Sequence, residues 1–326
     1  MASFLDTAYT NGVIAVREKH LLKDKISRFC ELSAEEAFRA LLESGFGGGA
    51  ETAVSVYDYE KLILQEEEKL DAFIREYAPS ETERAYLLSP KDFHNAKALV
   101  KAKYLNVDAG RMLADDGLIP VAELTACIDA NDYTDLAKKN AYLADACINA
   151  TESLQETPSG AKVGEIFEKA LYSYLFALSK RKAVLKKLLQ AKIDMTNILT
   201  AFRSVNEQTA KDKYLPFGTL KETELARLFD DGANAEKAFG ETPYAEFVKL
   251  CLHAKEQGLP MSQAEKLRDG YDVAFFAKRK YDLQKTEPFL YYVYRRKTEQ
   301  ANVRIVFVCL LAGQSEQEIK GRLRVW

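Results

Sequence analysis

The sequence predicts an all-α protein, and three observations carry that prediction. Between Gly164 and Pro216 there is no glycine or proline. Within that stretch apolar residues recur at Leu171, Tyr174, Leu178, Leu185, Leu188, Met195, Leu199 and Phe202, the three-four alternation of one helix face, interrupted where Arg181 and Lys192 take a seam position. Strand-like composition is confined to IVFVCLL, Ile305 to Leu311, and no breaker separates it from the helical segment before it. A periodic run from about Glu165 to Glu207 without internal caps reads as a rod, part of a helical hairpin or repeat. Some 40 residues at about 1.5 Å each would span roughly 60 Å.

The remaining elements follow in chain order. AYTNGVIAVREKHLL reads as a first helix. In ELSAEEAFRALLESGF, Ser33 and Glu36 form a capping box for a helix that stops near Gly45. The cluster Gly45, Gly47, Gly48 and Gly49 has neither a preceding strand nor a Lys-Ser/Thr pair, so it reads as a hinge and not as a phosphate loop. Val54 to Tyr77 reads as a helix with Leu62, Leu70, Phe73 and Tyr77 on its apolar stripe and Glu66 to Glu68 on a solvated face. Pro79 ends it, and a new helix is expected with Pro90 near its first turn. Helices at about Val121 to Asp129 and Tyr133 to Thr151 precede the loop ETPSG and the rod. After the rod come two short helices and then a long pair interrupted at Pro288.

Composition excludes several function classes. At 326 residues and 47% hydrophobic the chain can bury a large core, and a formal charge of −3 gives no bias toward nucleic acid or anionic lipid. Cys30, Cys127, Cys147, Cys251 and Cys309 are odd in number and form no CxxC pair, so they read as reduced thiols in apolar surroundings. MASFLDTAYT has no basic region followed by an apolar core, and the run Ile305 to Gly313 is about half of what a bilayer needs; a soluble, cytoplasmic chain is expected. His94 has no second His or Cys at ligand spacing and reads as a surface or packing histidine. The pairs Asp115–Asp116 and Asp230–Asp231 invite comparison with helical magnesium enzymes that hold a diphosphate, but neither has a third carboxylate one turn on. No catalytic, cofactor-binding or metal-binding residue is expected.

An internal repeat emerges when the segments are overlaid. TNGVIAV, HNAKALV, TNILTAF and ANVRIVF place an Asn before an apolar turn and a half, at Asn11, Asn95, Asn197 and Asn302, with successive spacings of 84, 102 and 105 residues. The segment starting at Leu22 can be set against that starting at Leu220, with Gly117 opening a looser third copy. These asparagines read as repeat marks. A buried amide that bonds neighbouring backbone and fixes register is the structural reading, and the lining of a shared binding surface is the functional one.

The residues Tyr9-Thr10-Asn11 with VIAVREKHLL, the segment SAEEAFRALLESGFG and the C-terminal NVRIVFVCLLAGQSEQEIKGRLR resemble one family across nearly the full length. It is the component of V-type and archaeal-type rotary ATPases called C in bacteria and archaea and d in eukaryotes. One departure is at Gly12, where relatives tend to carry Arg there or close by. The resemblance implies three pseudosymmetric helical modules forming a funnel around a central hollow, expected at residues 1–110, 111–215 and 216–326, the last completed by the N- and C-terminal helices. It implies a non-catalytic central-rotor subunit without cofactor, a monomer within its complex. Its partners would be the central-shaft subunits and the membrane proteolipid ring, with no nucleic acid and no bilayer insertion, and torque would pass between ATP turnover and proton or sodium transport.

In FLYYVYRR, Phe289 to Arg296, the Tyr and Arg content points to a partner surface through Tyr292, Arg295 and Arg296. Beside it stands the reading that Phe289, Tyr292 and Val293 are core and only the arginines are exposed. The alternative function is a generic helical scaffold or adaptor unrelated to rotary ATPases.

Overall fold

The structure, a computed structural model, describes residues 4–22, 25–48, 54–110, 112–115, 117–282 and 285–324, with side chains from Thr7 onward. Among these residues every regular element is a helix. In chain order they are α1 (Phe4–Arg17), α2 (Lys25–Phe29), α3 (Ala34–Glu43), α4 (Tyr59–Tyr77), α5 (Glu81–Leu105) and α6 (Val121–Ala130). Next come α7 (Thr134–Lys139), α8 (Ala141–Glu156), α9 (Gly160–Ser179), α10 (Ala183–Arg203), α11 (Glu207–Lys211) and α12 (Glu222–Leu225). The chain closes with α13 (Gly232–Phe239), α14 (Ala245–Glu256), α15 (Ser262–Ala277), α16 (Glu287–Leu311) and α17 (Glu316–Arg322). IVFVCLL is therefore the last two turns of a 25-residue helix.

The helices begin where the side chains can cap them. The Ser33–Glu36 capping box opens α3, and Ser315 with Glu318 opens α17 in the same way. Asn140, Ser159, Asn206 and Asp231 each accept a backbone N–H in the first turn of α8, α9, α11 and α13. The first of these caps splits the segment expected to run unbroken from Tyr133 to Thr151, because Asn140 leaves the helical conformation to bond the N–H of Leu143 at 3.1 Å.

The chain divides into two compact units, one of residues 1–81 with 260–326 and one of residues 82–259. In the first, α16 is the central element, packed against α1, α2, α3, α4, α15 and α17. Its core includes Phe29, Leu41, Leu62, Val303 and Phe307, with Phe38 edge-on and Tyr59 stacked against the Phe307 ring. In the second, α10 packs against α9, α11, α12 and α14, and a separate core around Phe93, Leu124, Cys147 and Phe167 joins α5 to α6, α8 and α9. All five cysteines are free, and burial pushes the thiols of Cys147 and Cys251 up to about 12.

Four expectations are corrected. The rod is two helices of 20 and 21 residues, broken at Lys180 to Lys182, each about 30 Å long. A continuous helix would have carried Arg181 into the apolar seam. The break instead leaves Arg181 exposed and sets Lys182 against the buried carboxylate of Glu83 at 2.8 Å. The helix holding Pro90 starts nine residues before that proline, which lies inside it and not near its first turn. A proline there removes one helical N–H, a cost that the burial of Leu87, Leu88 and Phe93 around it offsets.

The glycine cluster forms a turn, close-packed at Gly47, in place of the expected hinge. Gly47 has φ 71°, and a Cβ on it would lie 2.7 Å from the Cβ of Leu62. Gly45 and Gly48 also have positive φ, and Gly49 lies outside the described residues. Finally, Glu66 is not on a solvated face: it is 5% exposed and accepts the Gly47 N–H at 2.9 Å.

Candidate functional site

The repeat marks occupy one recurring piece of geometry. On α5, Asn95 accepts the N–H of Ala114 at 2.8 Å and donates its amide to the carbonyls of Ala114 and Asp115 at 3.2 and 3.3 Å. On α10, Asn197 accepts from and donates to Leu215, at 2.8 and 3.0 Å. On α16, Asn302 does the same to Arg324, at 2.7 and 3.0 Å. A carboxamide carries donor and acceptor on one short planar group, so it can pair with both backbone groups of a single residue. All three asparagines are buried, and Asn11 is likewise buried on α1.

A second mark, one turn earlier, is one that the overlay of asparagines does not reveal. Asp92, Asp194 and Glu299 each stand three residues before their Asn, on the same helix face. Asp92 accepts the Ile119 N–H at 3.0 Å, and Asp194 accepts those of Thr219 and Leu220 at 2.8 and 3.1 Å and the Tyr244 hydroxyl at 2.7 Å. Glu299 accepts the Leu22 N–H at 2.5 Å. Gly117 and Gly218 let the backbone come close, since a Cβ at either would fall 2.2 or 2.3 Å from the Oδ1 of Asp92 or Asp194. The signal is legible as Asp/Glu-x-x-Asn at three of the four marks; at the first, Ala8 takes the acid's place.

The third copy is assembled from both ends of the chain. Through Glu299 and Asn302, α16 holds Leu22 near the start and Arg324 near the end. Leu22 is the counterpart, in the sequence overlay, of Leu220, which Asp194 holds.

FLYYVYRR lies inside the first unit, so the exposure expected of it is corrected. Tyr292 is 4% exposed, edge-on to Phe73, and Arg296 is 8% exposed. Arg296 donates one nitrogen to Glu66 Oε2 and the other to Glu299 Oε2, tying α4 to α16. Arg295 lies over the Tyr291 ring and reaches Glu18 at 3.8 Å. Each residue in the eight-residue run except Arg295 is buried because α16 is surrounded by other helices.

Two carboxylates therefore share one guanidinium in a buried setting. Burial raises the Glu299 carboxyl above its ordinary value, with the Arg296 charge and the Leu22 N–H pulling the other way. Lys69 closes the group from the solvent side, 2.7 Å from Glu66.

The other candidates have structural partners. His94 is exposed, with Nε2 2.7 Å from the Met112 carbonyl oxygen. Asp115 is exposed, and Asp116 lies outside the described residues. Asp231 caps α13, and Asp230 stands 3.6 Å from Arg227. Among the described residues there is no group of three or more His, Cys, Asp or Glu placed to hold a metal ion, and no helix long and apolar enough to cross a membrane.

Helices pinned in register by repeated buried clamps, in a chain with this internal repeat, define a class of helical structural proteins, and similarity to known sequences says which. The profile of the ATP synthase (C/AC39) subunit family matches residues 10–322, and the chain belongs to that family of rotary-ATPase subunits. Among curated proteins it is similar to the C subunit of the V-type sodium ATPase of Enterococcus hirae, 22% identical over 316 residues that cover 94% of this chain and 92% of the relative.

Proposed function

We propose that the chain is a non-catalytic central-rotor subunit of a V-type ATPase that joins the central shaft to the membrane proteolipid ring. In this reading it transmits torque between ATP turnover and ion transport and sits peripherally on the membrane, on the cytoplasmic side, as a monomer within the complex. The observation that carries the proposal is the family match from residue 10 to residue 322.

The three Asp/Glu-x-x-Asn clamps support a reading in three repeated helical modules, near 1–110, 111–215 and 216–326. Each clamp fixes the chain that follows a long helix to that helix, and stiff modules pass torque with little loss. Tyr292, Arg295 and Arg296 would serve the partners by holding α16 against α4 and against the 3-10 turn Glu18–His20 that follows α1, and not by direct contact. Affinity purification of the shaft subunits from cells with and without this chain tests the proposal. The proteolipid ring should co-purify with the shaft only when the chain is present; a ring that follows the shaft equally well without it would refute the linkage.

A further inference from the structure

Beside the buried Arg296 group the first unit holds a cavity of about 230 Å³, walled by α1, α4, α16 and the turn after α3. Its lining brings together four basic side chains, Arg17, His20, Lys69 and Arg296, with one acid, Glu66. That acid is fully engaged. Glu66 Oε1 accepts from Gly47 and Lys69, and Oε2 accepts from Arg296, whose other nitrogen is taken by Glu299. Against these two carboxylates stand three permanent cations, so one positive charge is left over.

The excess charge belongs to Arg17. Its guanidinium lies 4.8 Å from the centroid of the Phe73 ring and 5.8 Å from that of Tyr77, and among the described residues it makes no ion pair or hydrogen bond. The two rings engage the guanidinium through their π faces, and among the described residues its N–H groups have no acceptor. A planar fork of donors in a partly enclosed cavity suits a tetrahedral oxyanion, which it can bind in bidentate fashion. With a water's share of volume at about 30 Å³, the space takes a phosphate group together with a few waters.

We propose that this cavity binds a phosphate group, with Arg17 as its fork and Lys69 and His20 as further donors. The chemistry is shared by free inorganic phosphate and by a phosphomonoester headgroup on a lipid, and the test has an arm for each. The proposal is independent of the rotor assignment, and its failure would leave that assignment as it stands.

The full chain is titrated calorimetrically with inorganic phosphate against chloride at equal ionic strength, and floated with vesicles of phosphatidylcholine with and without phosphatidic acid. Wild type should bind phosphate saturably, and Arg17→Gln should weaken it about tenfold or more, a loss equivalent to one charge-assisted bidentate contact. Saturable phosphate binding assigns the site to the free ion. Flotation only with phosphatidic acid, lost in Arg17→Gln, assigns it to a lipid headgroup. Should Arg17→Gln melt early, Lys69→Gln, whose side chain is half exposed, serves as the second variant and should also weaken binding. Absence of both kinds of binding in wild type, or unchanged affinity in the folded variants, overturns the proposal.

Discussion

Asn197 shows what one side chain contributes. Its carboxamide satisfies both backbone groups of Leu215 in a buried setting, 3% exposed. Asn197→Ala leaves a buried N–H and a buried carbonyl unpaired, and should cost about 1–3 kcal/mol of stability in a urea titration. A loss within error of zero would mean that water replaces the amide. The Asn is visible in the sequence because it recurs; what it bonds is not, because the partner residues Ala114, Leu215 and Arg324 share no side-chain character. Glu66 escapes the sequence for a related reason. In a Glu-Glu-Glu run nothing distinguishes the member that will meet a buried arginine 230 positions away.

Glu299 makes a pH-dependent prediction. Its folded carboxyl titrates above the ordinary 4.5, so between 4.5 and that raised value the folded state holds more protons than the unfolded one. Its stabilising share is complete below the unfolded value and is lost as pH rises through the folded value. Glu299→Gln keeps an acceptor for the Leu22 N–H but does not titrate. Relative to wild type, the variant should therefore gain stability as pH rises from 4.5 through the raised folded value, whatever its offset at the lower pH. Parallel stability curves for the two proteins would contradict the assignment.

At the scale of elements, periodicity locates most helices while local chemistry decides where they stop. The seam of the rod is real, and its second half, Leu185 to Phe202, is buried in α10. The break comes from a conflict that periodicity does not weigh: a run of three cations that would carry Arg181 into the seam, next to the buried acid of Glu83, which Lys182 meets. Pro90 misleads in the opposite sense, since packing keeps a helix intact across a residue that usually starts one. The turn before α4 gives the element-scale prediction. Gly47→Ala meets both a positive φ and the Leu62 side chain, so it should destabilise by more than about 1 kcal/mol, whereas Gly12→Ala on the open face of α1 should not destabilise. Equal melting temperatures for Gly47→Ala and wild type would show that the turn has room to move.

At the scale of the molecule, the all-helical class and the repeat are legible in the amino-acid order, and the family resemblance at both ends of the chain agrees with the match across residues 10–322. The repeat can be read because each copy needs the same buried amide ahead of an apolar segment. The assembly of its third copy from Leu22 and Arg324 cannot, because no local pattern tells a sequence that its two ends lie on one helix. That closure holds Leu22 and Arg324 on α16, the central element of the first unit.

The proposed role of this chain is coupling without catalysis. Its most direct test reconstitutes the complete ATPase in vesicles with and without the chain, and measures ATP hydrolysis and ATP-driven ion uptake on the same preparation. Hydrolysis by the catalytic head should persist without the chain while ion uptake falls to background, and adding the chain back should restore uptake. Ion uptake that continues unchanged in its absence would refute the coupling role.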